Sequence, residues 1–167
     1  DMAFVGGKLF VATKNAGLKV YENGTWSSKA IEGNSMVNVT DIKVSSNGKI
    51  AVAYVDAGDA AVAIANDANS EFSNSLTKEK IGLANEDFIN KIELSFCINN
   101  ADKLYALMGY YKSLGNGAYT SYEAIYRQIE NDNWEAATSG SLYLGTSNGM
   151  SIAINDRDEE LIYAGGY

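Results

Sequence analysis

Apolar and polar residues alternate along the chain in short runs closed by Gly, Asn, Asp or Ser, the pattern of strands joined by tight turns. Ile92, Leu94, Phe96 and Ile98 alternate with Glu93, Ser95 and Cys97, which predicts a half-buried strand. Ile50 to Val55 is continuously apolar and small, as expected of an inner strand covered on both faces. Asn47-Gly48 reads as a hairpin turn, because Asn tolerates positive φ and Gly adopts it freely. Helical periodicity is almost nowhere. Ser75 to Asn90 carries Leu76, Ile81, Leu83, Phe88 and Ile89 around Gly82, which predicts a long connection with one helical turn.

The strands repeat. Thr40 to Val44 pairs across a turn with Lys49 to Tyr54, Ile92 to Ile98 with Lys103 to Leu107, and Ser151 to Ile154 with Leu161 to Gly166. Between these lie pairs ending in tryptophan: Leu18 to Tyr21 with Thr25-Trp26, and Ala124 to Arg127 with Asn133-Trp134 across the turn 130–132. The starts at Ile42, Ile92 and Ile152 are 50 and 60 residues apart, and Trp26 to Ile42 and Trp134 to Ile152 are 16 and 18. Four antiparallel strands per roughly 50 residues is the spacing of a β-propeller blade. The fold expected is all-β, a propeller segment of about three and a half four-stranded blades near 2–33, 37–90, 91–140 and an incomplete 150–167. Since a ring takes roughly four to eight blades, the expectation is a part of a larger six- to eight-bladed ring.

Ile152 to Gly166, with its Asn155-Asp156-Arg157-Asp158 turn and Ile162-Tyr163-Ala164-Gly165, resembles the opening of a blade in Asp-box propellers, the group of sialidases, xyloglucanases and sortilin-like receptors. Asp156 and Glu159 stand where that group usually has prolines, and Asn23-Gly24-Thr25-Trp26 resembles a remnant of the Asp box itself. Leu9 to Thr13 followed by Gly17 to Tyr21 is similar to the repeat of sensor-type propellers on bacterial regulators, and Leu142 to Thr146 with Gly149 offers an alternative phasing of that repeat. The resemblance implies an exported protein, extracellular, at the cell surface or periplasmic.

Composition then narrows the function. With no histidine, Ser-His-Asp and Cys-His catalysis and His-ligated metals are excluded, and the single Cys97 excludes an internal disulfide or cysteine metal cluster. Net charge −8 argues against nucleic acid, whose phosphates need a Lys/Arg surplus. No apolar run approaches the roughly 18 residues of a membrane helix, so the chain is not expected to span a membrane by one. Proline is absent, and eleven Lys and seventeen Asn stand against two Arg, as AT-rich bacterial coding would give.

Few residues offer chemistry. Arg127 and Arg157 occupy non-equivalent positions, so the arginine cluster of a sialidase is not expected here. Asp41 and Glu93 hold matching places on innermost strands and are the weak catalytic candidates, with the plainer reading that both are polar strand residues facing a solvated channel. The acidic groups at Asp56/Asp59, Asp67, Glu130/Asp132 and Asp156 to Glu160 have no recognisable calcium pattern, and no metal or cofactor is expected. The stretch 109–122 lengthens a hairpin and carries Tyr110, Tyr111, Tyr119 and Tyr122, suited either to ligand contact or to packing across strands. Trp26 and Trp134 are expected between blades and Cys97 in the core. Sequons at Asn23 and Asn38 matter only for a eukaryotic secretory protein. The expected function is non-catalytic binding of a protein partner or glycan, as a scaffold in an envelope complex. The rival is a glycoside hydrolase completed by blades outside this stretch.

Overall fold

The computed structural model describes residues 1–56, 59–129, 133–138, 142, 144 and 149–166. The turn 130–132 and most of the alternative repeat at 142–146 lie outside these residues. The fold is all-β, in antiparallel sheets formed by strands consecutive in sequence. Sheet 1 is β1 (Met2–Val5), β2 (Lys8–Thr13), β3 (Gly17–Glu22) and β4 (Thr25–Lys29). Sheet 2 is β5 (Asn38–Val44), β6 (Ile50–Asp56), β7 (Asp59–Ala65) and β8 (Ser73–Leu76). Sheet 3 is β9 (Phe88–Phe96), β10 (Leu104–Gly115), β11 (Ala118–Gln128) and β12 (Trp134–Ala136), and sheet 4 is the pair β13 (Ser151–Ile154) and β14 (Ile162–Gly165). Between β8 and β9 the chain makes a single 3-10 turn at Glu79–Ile81, closed by Gly82 at φ 71°.

Successive sheets stack face to face, and their first strands lie side by side, β1 against β5, β5 against β9 and β9 against β13. Three apolar layers fill the junctions. Phe10, Leu18 and Val20 meet Ile42, Ile50 and Val52 between sheets 1 and 2. Ala51, Ala53 and Val62 meet Ile92, Leu94, Met108 and Tyr126 between sheets 2 and 3. Tyr105, Leu107 and Ile125 meet Ile152, Ile154 and Ile162 between sheets 3 and 4. The middle junction shows how the run of small residues in β6 and β7 is used: alanines leave depth that the tyrosines and methionine of sheet 3 fill, as close packing of an interior requires.

The turn after each first strand is closed in the same way. Ser45 N–H donates to Lys49 O, Cys97 N–H to Lys103 O and Asn155 N–H to Leu161 O, at 3.0 Å or less. In sheet 1 the paired Val5 and Lys8 occupy that place across Gly6-Gly7. Counting back four residues from each closing position puts Asp1, Asp41, Glu93 and Ser151 at equivalent points of the four first strands.

Trp26 departs from expectation. It is 56% exposed on β4, in the cross-strand row Phe4, Leu9, Tyr21, Trp26, on the face of sheet 1 away from sheet 2. Trp134 packs half-buried against the middle layer, its indole N–H donating to Ser75 Oγ at 3.0 Å. Cys97 is buried.

Candidate functional site

The hairpin of β10 and β11 outruns its neighbours: pairing with β9 ends at Phe88↔Tyr111 and pairing with β12 begins at Tyr126, so residues 112–120 form a two-stranded projection. Gly115, Asn116 and Gly117 make its tip, all at positive φ, where glycine costs little and asparagine is the best-tolerated side chain. Because side chains alternate along a strand, the four tyrosines of this region divide between two faces. Tyr110 and Tyr122 pair directly and stack at 5.7 Å with 17° between planes, on the face turned to sheet 2. Lys112 extends over both rings, its Nζ 6.0 Å and 5.6 Å from the centroids, a cation–π arrangement worth about 0.5–1 kcal/mol at an exposed site. Burial pushes the Tyr110 hydroxyl up and the Tyr126 hydroxyl up to about 12, so both of these stay protonated at ordinary pH.

Tyr111 and Tyr119 occupy the opposite face and meet a residue that sequence reasoning left in the connection. Phe88 stacks on Tyr111 at 4.8 Å and 20° and meets the edge of Tyr119 at 5.2 Å and 69°. A bulge at Asn90 brings Phe88 there, since β9 shifts register between Ile89 and Lys91. Tyr119 is 47% exposed and Leu114, beside the tip, 66%. The four tyrosines therefore do not make one surface: Tyr110 and Tyr122 pack, while Phe88, Tyr111 and Tyr119 form a partly exposed aromatic cluster.

Asp87 anchors the cluster. Its Oδ1 accepts the Ser113 N–H at 2.9 Å and its Oδ2 the Ala84 N–H at 2.9 Å, tying the connection to the projecting hairpin. The buried Lys78 secures the same segment, donating to Asp59 Oδ1, Asn85 O and Asp87 O at 2.8–3.1 Å. The Ser113 N–H, above all, holds the Asp87 carboxyl below its ordinary value of 3.8. A depressed carboxylate contributes stability that is present in full above the unfolded value and is lost as pH falls through the folded one. Melting temperature is therefore expected to drop as pH goes below 3.8, and Asp87→Asn should melt lower at neutral pH with a smaller acid-dependent fall. Thermal melts of both proteins across that range make the check.

Asp41 is not on a solvated channel. It is buried, its Oδ1 accepting the Ile42 N–H at 2.8 Å and its Oδ2 the Leu94 N–H at 2.8 Å, the equivalent amide of the next first strand. Lys43 Nζ also pairs with Asp41 Oδ1 and reaches Asp1 Oδ2 at 2.7 Å. Asp1 repeats the local half of the motif, with Oδ1 accepting the Met2 N–H at 2.9 Å. Glu93 is half-buried and pairs with Lys91 at 2.7 Å. Both Asp41 oxygens are engaged by buried amides, an arrangement that joins strands and leaves neither oxygen open to a substrate.

A cleft of about 350 Å³ lies at the junction of sheets 3 and 4, with Lys103, Arg127 and Glu160 in its wall. Its charges face one another: Lys103 meets Glu159 and Glu160 at 2.6 Å, and Arg127 meets Glu135 at 2.5 Å and Glu160 at 2.7 Å. The two carboxylates raise the Lys103 ammonium and lie themselves below the usual range, the signature of a mutual clamp between sheets. In the following turn Asn155 Oδ1 accepts the Arg157 and Asp158 N–H groups, so this acidic stretch serves a backbone turn. No family model and no curated protein matches the chain.

Proposed function

We propose that the chain is a segment of a β-propeller that binds a partner without catalysis, on an exported bacterial envelope or cell-surface protein, and that the Phe88–Tyr111–Tyr119 cluster is its contact surface. Consecutive four-stranded meanders with their first strands side by side support the propeller reading. The engagement of Asp41 by two buried amides favours binding over glycoside hydrolysis. The carrying observation is the cluster itself: three stacked and edge-on rings, partly exposed, at the base of a projection pinned at Ser113. Aromatics with few rotatable bonds and a polar tip are the residues that concentrate binding energy at interfaces. The exposed Leu114 beside the tip favours a protein partner, since a sugar needs flanking polar groups for its hydroxyls.

The two tyrosine faces provide the test. Tyr111→Ser with Tyr119→Ser is expected to weaken retention of envelope proteins by about tenfold or more while costing about 1 kcal/mol of stability. Tyr110→Ala, which empties a buried site, is expected to cost about 3–5 kcal/mol. Pull-downs from envelope extract, a glycan array and urea denaturation on the three proteins separate these effects. Retention unchanged in the double variant overturns the assignment. Glycan binding that disappears with the two tyrosines makes the ligand a sugar.

A further inference from the structure

Four asparagines of the chain stand directly before glycine: Asn23, Asn47, Asn116 and Asn148. The pair 148–149 lies partly outside the described residues. An Asn-Gly pair carries its own chemistry. The carboxamide carbon Cγ is an electrophile, and the backbone nitrogen of the next residue can close on it, least hindered where that residue is glycine and has no Cβ. What decides whether it does so in a folded chain is how firmly the turn holds the two groups.

The turn after β5 holds both. Asn47 Oδ1 accepts the Ser45 hydroxyl at 2.6 Å and the Lys49 N–H at 3.4 Å, while the Gly48 N–H donates to Ser45 O at 3.0 Å. Electrophile and nucleophile are thus each engaged by another partner. The tip of the β10–β11 projection holds neither. Asn116 is exposed at φ 53°, and among the described residues neither its carboxamide nor the Gly117 N–H has a hydrogen bond. A Cβ on Gly117 would meet nothing within 4 Å, so there is open space for a ring to form. Asn23, exposed at φ 49° before Gly24, is open in the same way.

We infer that Asn116 is a self-modification site, at which the Gly117 backbone nitrogen attacks the Asn116 carboxamide and converts the residue to aspartate and isoaspartate. The N–Cγ bond forms, the Cγ–Nδ2 bond breaks, and ammonia leaves with the proton given up by the Gly117 amide. Water then opens the cyclic imide. Opening at Cγ gives aspartate. Opening at the backbone carbonyl gives isoaspartate, whose main chain is lengthened by running through Cβ. Either product places a new carboxylate near Leu114, which is 66% exposed, and isoaspartate also lengthens the turn that joins the paired Ser113 and Tyr119. The change therefore acts on the hairpin that carries Tyr111 and Tyr119. Its effect on binding rests on the contact surface proposed above; the chemistry does not.

Ageing of the intact chain in mildly alkaline buffer, followed by peptide mapping with mass spectrometry that separates aspartate from isoaspartate, tests the site. Asn116 and Asn23 are expected to convert about tenfold or more faster than Asn47, which must first release its hydrogen bonds. In concentrated urea the three are expected to convert alike. Asn116 that persists in the folded protein while converting in urea overturns the site. Equal rates at Asn47 and Asn116 in the folded protein overturn the guarding role of the Ser45 turn, and Ser45→Ala should speed Asn47 alone. Retention of envelope proteins is expected to fall several-fold on ageing. Asn116→Gly suits the positive φ and has no carboxamide, so its retention should survive the same treatment. An equal loss there overturns the effect assigned to the tip. Full retention by aged protein converted at Asn116 overturns the contact surface proposed above and leaves the modification site standing.

Discussion

Asp41→Ala is expected to destabilise the protein by about 3 kcal/mol, because it strands two buried amides at once and each costs about 1–3 kcal/mol when left without an acceptor. Those amides are Ile42 N–H on the same strand and Leu94 N–H on the next. The loss should fall on the junction between sheets 2 and 3, since the Leu94 bond crosses it beside the apolar layer of alanines and tyrosines. Asp41→Asn keeps one oxygen as acceptor and presents an NH2 group to the other amide, so an intermediate loss is expected. Glu93→Gln supplies the contrast. Its partner Lys91 is 26% exposed and Glu93 22%, and an ion pair open to water contributes at most about 1 kcal/mol. Urea denaturation of the three variants makes the comparison, and equal stability of Asp41→Ala and the unaltered protein would remove the strand-joining role.

The second large effect concerns Gly17, which opens β3 at φ 73°. A Cβ there would lie 2.0 Å from Ser35 O and 2.9 Å from Ser35 C, backbone atoms of the connection between sheets 1 and 2. Thr13 Oγ1 also donates to Gly17 O at 2.6 Å, which holds the turn in place. Neither neighbour can rotate aside as a side-chain tip would. Gly17→Ala is therefore expected to cost about 3 kcal/mol or more, combining a left-handed backbone with a steric overlap. Gly33→Ala isolates the first contribution, since Gly33 has φ 78° and its Cβ would meet nothing within 4 Å. A loss of about 1–2 kcal/mol is expected there. Thermal melts of both variants separate the contact from the dihedral, and similar losses would show that Ser35 yields.

Much of the strand pattern was legible because a strand repeats every two residues and a tight turn has its own chemistry. The alternation read over Ile92 to Ile98 holds as far as Phe96, where the strand ends, and then fails, with Cys97 buried and Ile98 exposed; Asn23-Gly24 sits at φ 49° and 83° in the two-residue turn between β3 and β4, and Gly48 at φ 88° in the turn after β5. The equivalence of Asp41 and Glu93 was legible too, since both lie four residues before the closing turn. Their environments were not. One carboxylate is buried between strands and the other pairs with a neighbouring lysine, and nothing local to either sequence distinguishes them. Phe88 escaped notice because the bulge at Asn90 shifts the parity of β9, and the alternation read forward from Ile92 no longer describes it.

Trp26 marks the boundary most clearly. Large, apolar and placed at a regular spacing, it has every local mark of a core residue, and 56% of it is exposed. The residues of this chain by themselves determined that it forms antiparallel meanders, where their turns fall, and which side chains share a face, because dihedral preferences and twofold alternation act over a few residues. Only the tertiary structure decided which of the two faces is covered. Tyr110 and Tyr111, neighbours in sequence, point to opposite faces; one packs against sheet 2 and the other joins an aromatic cluster. Burial is a property of the neighbour as much as of the residue, and the neighbour is set by the order of the sheets.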